Sequence, residues 1–206
     1  KVAESLLQIQ AIKLQPKNPF TWASGWKSPI YCDNRVALSH PAIPTYIRLK
    51  LSQLIQEEFG SVDMISGVAT AGIPQGVLVA QDLGLPFSYV RSSAKDHGRQ
   101  NLIEGEVVSG QRVVVIEDLV STGKSSLQAV KALREAGCNV VGLVSIFTYG
   151  LEVARKNFEE AKCTFHSLCN YDALIHVAAS NSYILESDIE LLEKWKIDPA
   201  NWTPQS

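Results

Sequence analysis

The stretch VVVIEDLVSTGKSS, residues Val113 to Ser126, decides how the rest of the sequence is interpreted. An apolar β-branched run is followed by two acids, a turn of small hydroxyl-bearing residues and the start of a helix-like segment, which predicts strand, turn and helix. The turn contains Gly-Lys-Ser, as nucleotide-binding P-loops do, but such loops also need a glycine where this chain has Asp118. A carboxylate there repels a polyphosphate and removes the backbone freedom of glycine, so the stretch argues against an ATP- or GTP-binding loop.

The same turn suits a single phosphate group attached to a sugar. Ligands of open parallel sheets bind beyond the carboxyl ends of the strands, and a helix N-terminus offers its N–H groups to an anion. Glu117 and Asp118 stand just before the turn, within reach of sugar hydroxyls. We therefore predict a pentose 5-phosphate, with its phosphate on the turn and its diol at the acids. The alternative is a plain strand, turn and helix with surface acids.

Apolar runs alternate with helix-like segments along most of the chain, which predicts an α/β fold with a mostly parallel sheet covered by helices on both faces. Gly84 and Gly137 stand where helical periodicity stops, as helix-ending glycines do. The predicted strands cover residues 62–69, 85–90, 112–118, 138–149 and 163–169, and the predicted helices cover 72–84, 124–137, 151–162 and 170–180.

The composition is that of one globular domain of 206 residues, with 46% hydrophobic residues and a net charge of −2. This charge gives no general affinity for nucleic acid or anionic membranes, and no apolar run is long enough to span a bilayer. The N-terminus is amphipathic and predicts a helix rather than a signal peptide. Four cysteines without a Cys-x-x-Cys pair predict free thiols in a reducing cytoplasm rather than a zinc site.

A polar segment, RSSAKDHGRQNLIEGE at 91–106, interrupts the alternation. It contains glycine and is too long for a tight connection, which predicts a mobile functional loop. Its basic side chains suit the neutralisation of an anionic leaving group; the alternative is a solvated basic surface.

Four segments of the sequence resemble motifs of one protein family. VVVIEDLVSTGKSS resembles the phosphoribosyl-pyrophosphate (PRPP) signature of the type I phosphoribosyltransferases. YVRSSAKDHGRQNLIEG resembles the catalytic loop of orotate phosphoribosyltransferases, SGWKSPIYCDNR (24–35) their orotate-side segment, and GVATAGIPQG (67–76) their pyrophosphate loop. With DPANW near the end, the resemblance covers essentially the whole chain. Many members have a second lysine after Arg91, where this chain has Ser92, so the clamp on pyrophosphate carries less charge.

The resemblance implies a type I phosphoribosyltransferase fold in a single domain, residues 1–206. A small hood is expected at about 1–40, a PRPP-binding core at about 60–180, and a C-terminal helix and tail at about 185–206. The implied reaction is the Mg²⁺-dependent transfer of phosphoribose from PRPP to orotate in pyrimidine biosynthesis, in the cytoplasm. A homodimer is implied as well, with the 91–105 loop acting on the neighbouring subunit's site.

The expected site residues follow from the motifs. Displacement of pyrophosphate from ribose requires charge neutralisation and alignment of the incoming nitrogen. Lys95, His97 and Asp118 are expected to be catalytic. Lys27, Tyr31 and Ser121 are expected to bind orotate. Mg²⁺ is expected to be held mainly by PRPP, with Glu117 and Asp118 touching it through water at most. The residues expected to bind PRPP are Thr70, Ala71, Gly72, Arg91, Lys95, His97, Glu117, Asp118, Leu119, Val120, Ser121, Thr122, Gly123, Lys124 and Ser125.

Two other functions remain as alternatives. A phosphoribosyltransferase for another base, such as a purine, is disfavoured by the Lys-Asp-His-Gly loop and the Ser-Pro segment. A PRPP-sensing regulator without turnover would need a nucleic-acid-binding extension or a basic face, which the sequence does not provide.

Overall fold

A computed structural model describes residues 1–22, 25–93 and 102–203. Within these ranges a six-stranded sheet has the order β10-β9-β8-β5-β6-β7, and every neighbouring pair is parallel except β6 and β7. The predicted mostly parallel sheet is therefore confirmed. The strands are β1 (Ile12–Leu14), β2 (Phe20–Thr21), β3 (Lys27–Ser28), β4 (Ile30–Cys32), β5 (Met64–Val68), β6 (Phe87–Val90), β7 (Ile103–Glu104), β8 (Arg112–Val120), β9 (Asn139–Thr148) and β10 (Phe165–Asn170).

Helices follow the strands of the main sheet as the sequence pattern predicts. Gly84 and Gly137 lie just past two of these helices in left-handed conformations, with φ of 67° and 88°. The helices are α1 (Val2–Gln8), α2 (Ala42–Phe59), α3 (Gly72–Leu83), α4 (Lys124–Glu135), α5 (Glu152–Glu160), α6 (Tyr171–Ser180) and α7 (Ile189–Ile197), with 3₁₀ turns at Asn34–Ser39 and Glu186–Asp188.

The central strand β8 shows how the core is divided between the two faces of the sheet. Val114 and Ile116 pack into a cluster with α1, α2, α3, α6 and α7. Val113 and Val115 pack into a second cluster with α4 and α5. Successive side chains of a strand point to opposite faces, so the apolar run of β8 is buried on both sides.

The direction of strand succession reverses between β5 and β8. From β5 the chain moves outward to β6 and β7, whereas from β8 it moves to β9 and β10 on the other side. The turns that follow β5 and β8 therefore start side by side at the carboxyl edge. This reversal is where open α/β sheets bind ligands.

The N-terminal strands lie outside the main sheet, in two antiparallel pairs, β1 with β4 and β2 with β3. Trp22 beside β2 makes ring contacts with Tyr149 and Trp195, at centroid distances of 5.2 and 5.6 Å. The start of the chain thus meets helix α7 near its end. The division into hood, core and tail stays a prediction.

One stretch differs from its prediction. The last part of the predicted 91–106 loop forms β7, which pairs antiparallel with β6 through Tyr89–Glu104 and Val90–Ile103. A two-residue strand among polar residues has too few positions to show a period, so the sequence does not indicate it. Among the described residues, no helix has both the length and the apolar character needed to cross a membrane.

Candidate functional site

The turn after β8 has the geometry of an anion-binding turn. Gly123 caps α4 in a left-handed conformation with φ of 77°, and no side chain caps the first turn of this helix. The Asn157 side chain donates to the Thr122 carbonyl at 2.8 Å and holds the turn from α5. Lys124 and Ser125 are exposed. The first N–H groups of α4 therefore face outward with two polar side chains beside them, a setting that favours an anion.

Leu119 and Val120, two of the residues expected to bind PRPP, belong to β8. Leu119 pairs with Phe147 and Val120 with Thr148 in the β8–β9 ladder. The Val120 carbonyl also accepts from the Thr148 hydroxyl at 3.1 Å. Much of the hydrogen-bonding capacity of these two residues is thus used within the fold.

Glu117 and Asp118 lie at the same strand end but in different surroundings. Glu117 is 5% exposed; one carboxyl oxygen accepts from the Asp118 N–H and the other from the Ser126 hydroxyl, both at 3.1 Å. Burial, and next the charge of Asp118, raise the pKa of Glu117 to about 9. Glu117 is therefore protonated at neutral pH.

Asp118, the second acid, is also affected by its surroundings. The pKa of its carboxyl is raised, mainly by burial, although its hydrogen bond with Glu117 and the charge of Arg35 act to lower it. Because the two carboxyls interact strongly, they titrate as a pair, and the charge left by the first ionisation holds back the second. The pair therefore presents about one negative charge to a ligand, where two adjacent acids in the sequence suggest two.

The loop after β5 runs from Ala69 to Ala71 and leads into α3. The peptide bond between Ala69 and Thr70 is cis. Thr70 is exposed, and α3 also begins without a side-chain cap. Gly72, one of the residues expected to bind PRPP, lies against the central strand, where an added Cβ would be 2.5 Å from the Ile116 carbonyl oxygen. The glycine is thus required by the contact between α3 and β8.

Arg91 lies at the end of β6, next to the same edge. Its backbone N–H donates to the Leu102 carbonyl at 2.8 Å, and its Nη1 lies 3.6 Å from a carboxyl oxygen of Glu104. This Nη1 is buried and has no hydrogen-bond partner within the described part of the chain. Arg91, Ser92 and Ser125 line a cavity of about 270 Å³ between this strand end and α4. Arg91 therefore places a cationic side chain beside the turn after β8, with its buried Nη1 facing the Glu104 carboxylate.

Two of the expected orotate contacts belong to the base segment, a name used here for residues 27–34. The exposed Lys27 ammonium donates to the Thr21 hydroxyl at 2.7 Å. Tyr31 is 43% exposed, and its ring lies 5.7 Å from that of Phe20. Both side chains therefore reach the surface of this segment. Ser121, the third expected orotate contact, lies in the turn after β8 and is partly buried.

Asn34 joins the base segment to the acid pair, the name used here for Glu117 and Asp118. The sequence motifs do not indicate this role of Asn34. Its side-chain amide donates to the Asp118 carbonyl at 2.8 Å across 84 positions in the chain, and the residue is buried. Arg35 is close enough for its charge to act on Asp118. The base segment and Glu117–Asp118 are thus held together, although nothing in the sequence around Asn34 signals that contact.

Two of the expected catalytic residues, Lys95 and His97, lie outside the described residues. Among those that are described, no group of three or more His, Cys, Asp or Glu side chains is placed to hold a metal ion.

Comparison with known proteins identifies the class to which this fold and site belong. The phosphoribosyl transferase domain matches residues 37–176, which include β5 to β10 and both turns. The chain belongs to the phosphoribosyltransferase family.

Its relatives narrow the class further. The orotate phosphoribosyltransferase of Phocaeicola vulgatus is 58% identical over 200 residues, covering 97% of this chain and 94% of that protein. The enzyme of the same name from Listeria monocytogenes is 53% identical over 202 residues, covering 98% and 97%. These relatives place the chain among the orotate phosphoribosyltransferases, the enzyme group of pyrimidine biosynthesis that the sequence motifs predict.

Solved structures agree with this placement. Orotate phosphoribosyltransferase from Aeropyrum pernix superposes with a TM-score of 0.78 at 26% identity, covering 87% of this chain and 99% of that one. UMP synthase from Leishmania donovani superposes with a TM-score of 0.79 at 25% identity, covering 95% of this chain and 41% of that one. Adenine phosphoribosyltransferase from Trypanosoma brucei, at 17% identity and a TM-score of 0.61, shares the fold.

Proposed function

We propose that the chain transfers the 5-phosphoribosyl group of PRPP to orotate, forming orotidine 5′-monophosphate and pyrophosphate. The observation that carries this proposal is the meeting of three elements at one edge of the sheet. These are the phosphate turn after β8, the acid pair before it, and the base segment that Asn34 ties to Asp118. A phosphate site, a sugar-diol site and a base site in that order match the parts of the nucleotide product.

The 5-phosphate is assigned to the turn after β8. Ser121, Thr122, Lys124 and Ser125 are available there, and the glycine between them starts α4 without a side-chain cap. Backbone N–H groups at a helix N-terminus, together with hydroxyls, bind a phosphate dianion well.

The ribose is assigned to the acid pair, with unequal roles for its two members. Asp118, as the ionised member, accepts hydrogen bonds from ribose hydroxyls and opposes the positive charge that builds on the sugar. Glu117, protonated and bonded to Ser126, holds the Asp118 backbone in place. We assign the catalytic role to Asp118 for this reason.

Pyrophosphate is assigned to the loop after β5 and to the end of β6. Thr70, Ala71 and Gly72 contribute backbone N–H groups, and Arg91, which lines the adjacent cavity, contributes positive charge. Lys95 and His97 complete the charge neutralisation in this proposal. Bound Mg²⁺ would add charge neutralisation on the pyrophosphate oxygens. Asp118 is the one ionised carboxylate of the acid pair, which fits a contact to Mg²⁺ through water and does not provide an all-protein cage.

Orotate is a flat anion, and the exposed side chains of the base segment suit it. The Lys27 ammonium pairs with the orotate carboxylate, and the exposed Tyr31 ring provides a wall for the pyrimidine. Ser121 reaches the base from the phosphate turn. As the resemblance implies, we propose a homodimer in which the 91–105 loop acts on the partner's site. We also propose a cytoplasmic location, with which the free thiols of Cys32, Cys138, Cys163 and Cys169 agree.

One assay tests the reaction. The absorbance of orotate should fall when the protein is mixed with PRPP and Mg²⁺, and pyrophosphate should appear in equal amount. Adenine, guanine and hypoxanthine in place of orotate serve as controls. Turnover of a purine with no loss of orotate would assign the chain to another base. Calorimetric binding of PRPP without turnover of any base would favour the regulator.

A further inference from the structure

The base segment is fixed at both ends by hydrogen bonds from distant parts of the chain. At its C-terminal end, the Asn34 side-chain amide donates to the Asp118 carbonyl on β8. At its N-terminal end, the Lys27 carbonyl accepts from the Trp195 indole N–H on α7 at 3.2 Å, across 168 positions. The first of these contacts sets the distance between the base segment and the acid pair. The second fixes the backbone from which the Lys27 side chain extends.

Trp195 is itself held rigidly. Its side chain is fully buried, and its ring lies 5.7 Å from Tyr149 and 5.2 Å from Tyr171 between ring centroids. Around it, the Tyr171 hydroxyl donates to the Leu192 carbonyl at 3.1 Å, and Lys196 pairs with Asp172 at 2.6 Å. A donor on such a support fixes its acceptor with little freedom.

The acceptor of this hydrogen bond, the Lys27 carbonyl, belongs to a segment with little local support. Lys27 lies in the short β2–β3 pair, opposite Thr21, whose hydroxyl accepts from the Lys27 ammonium. Two-stranded pairs of this length are weak by themselves. The indole of Trp195 therefore supplies a restraint that the local pairing of β2 and β3 does not.

We propose that Trp195 is a positioning residue for base recognition. Its indole N–H fixes the Lys27 carbonyl, so that the ammonium of Lys27 is presented to the carboxylate of the incoming base. The C-terminal helix α7 thereby contributes to substrate selection without touching the substrate. This role rests on the assignment of Lys27 to orotate in the proposed function.

Trp195→Phe tests the role, because it removes the indole donor and keeps an aromatic ring in the buried site. We expect the KM for orotate to rise about three- to thirty-fold, the effect of one lost hydrogen bond with a partner left unsatisfied. We expect kcat and the KM for PRPP to stay within about two-fold, because the phosphate turn and acid pair are not touched.

Tyr171→Phe is the matched control. It removes one buried hydrogen bond that holds α7, from a ring in contact with Trp195, and leaves the Lys27 carbonyl untouched. We expect its KM for orotate to match that of the unmodified protein. An equal rise in both variants would show that any loosening of α7 has the same effect, and would overturn the role of the indole.

A double-mutant cycle with Lys27→Ala tests whether Trp195 acts through Lys27. In the Lys27→Ala background, Trp195→Phe should change the KM for orotate by less than about two-fold. Independent effects that multiply would overturn the proposal. If the unmodified protein consumes no orotate, both proposals fall. If it does, and Trp195→Phe keeps the original KM for orotate, only the role of Trp195 falls.

Discussion

The two turns at the centre of the carboxyl edge look alike in sequence and differ in what their glycines do. Gly72, after β5, has an ordinary backbone conformation, and its missing Cβ makes room for the Ile116 carbonyl of the neighbouring strand. Gly123, after β8, has a φ of 77°, and its missing Cβ makes room for the ring of Phe158. One glycine is needed for helix–strand contact and the other for a turn conformation. Neither requirement depends on a ligand.

The electrostatic difference between the turns is larger. The turn after β8 follows Glu117 and Asp118, whereas the loop after β5 has no acid between Met64 and Gly72. The first therefore combines N–H groups for a phosphate with carboxyls for a diol. The second offers N–H groups without a carboxylate of its own, which suits the pyrophosphate that we propose for it.

Gly72→Ala is expected to affect the protein most. The added Cβ would press on a backbone oxygen of the central strand, which has no room to move, so we expect a loss of about 3 kcal/mol or more in the free energy of unfolding. Urea denaturation measures it. Val77→Ala, at an exposed position of the same helix, is the control and should change little. A stable Gly72→Ala variant would show that α3 shifts freely against β8.

Substitutions in the acid pair are expected to have the next largest effect, on kcat/KM for PRPP. Asp118→Asn removes the charge assigned to the ribose site, and we expect kcat/KM for PRPP to fall about 100-fold, as for the loss of a charged hydrogen bond. Glu117→Gln replaces a carboxyl that is already neutral, so its kcat/KM should fall less than about five-fold. Equal losses in steady-state assays of the two variants would contradict the unequal roles.

The buried proton on Glu117 predicts a pH dependence of stability. The folded chain keeps this proton up to a pKa of about 9, while the unfolded chain releases it near 4.5. Between these values the folded state binds more protons, so this carboxyl contributes stability that decreases as the pH rises. We expect the difference in unfolding free energy between the unmodified protein and Glu117→Gln to change by about 2.6 kcal/mol from pH 6 to pH 8. A pH-independent difference in urea titrations would place the proton elsewhere.

Gly123→Ala is expected to have the smallest effect. Its cost, about 1.5 kcal/mol, comes from the left-handed conformation and from the Phe158 ring edge, which lies 2.7 Å from the added Cβ but can turn. Thermal unfolding measures the loss, and in a Phe158→Leu background, compared with Phe158→Leu alone, Gly123→Ala should cost less by part of the steric share. No recovery would assign the whole cost to the backbone conformation.

Much of the fold is readable from the sequence because its signals are local. The apolar runs that become β5, β6, β8, β9 and β10 and the helix-ending Gly84 and Gly137 each act over a few neighbouring residues. The antiparallel β7 is missed because two residues show no period. Similarly, the acids and the phosphate turn are adjacent along the chain, so their spacing alone places them at one strand end.

The parallel sheet, the turn after β8 and the family are predictable from sequence patterns, since each depends on residues a short distance apart. The three-dimensional fold sets which acid keeps a proton, because that depends on burial and on the neighbouring charge of Asp118. It also decided that Asn34 binds Asp118 and that Trp195 binds Lys27. These contacts join residues far apart in the chain, and the physical reason they are hidden is that hydrogen bonding acts through space while sequence patterns report only near neighbours.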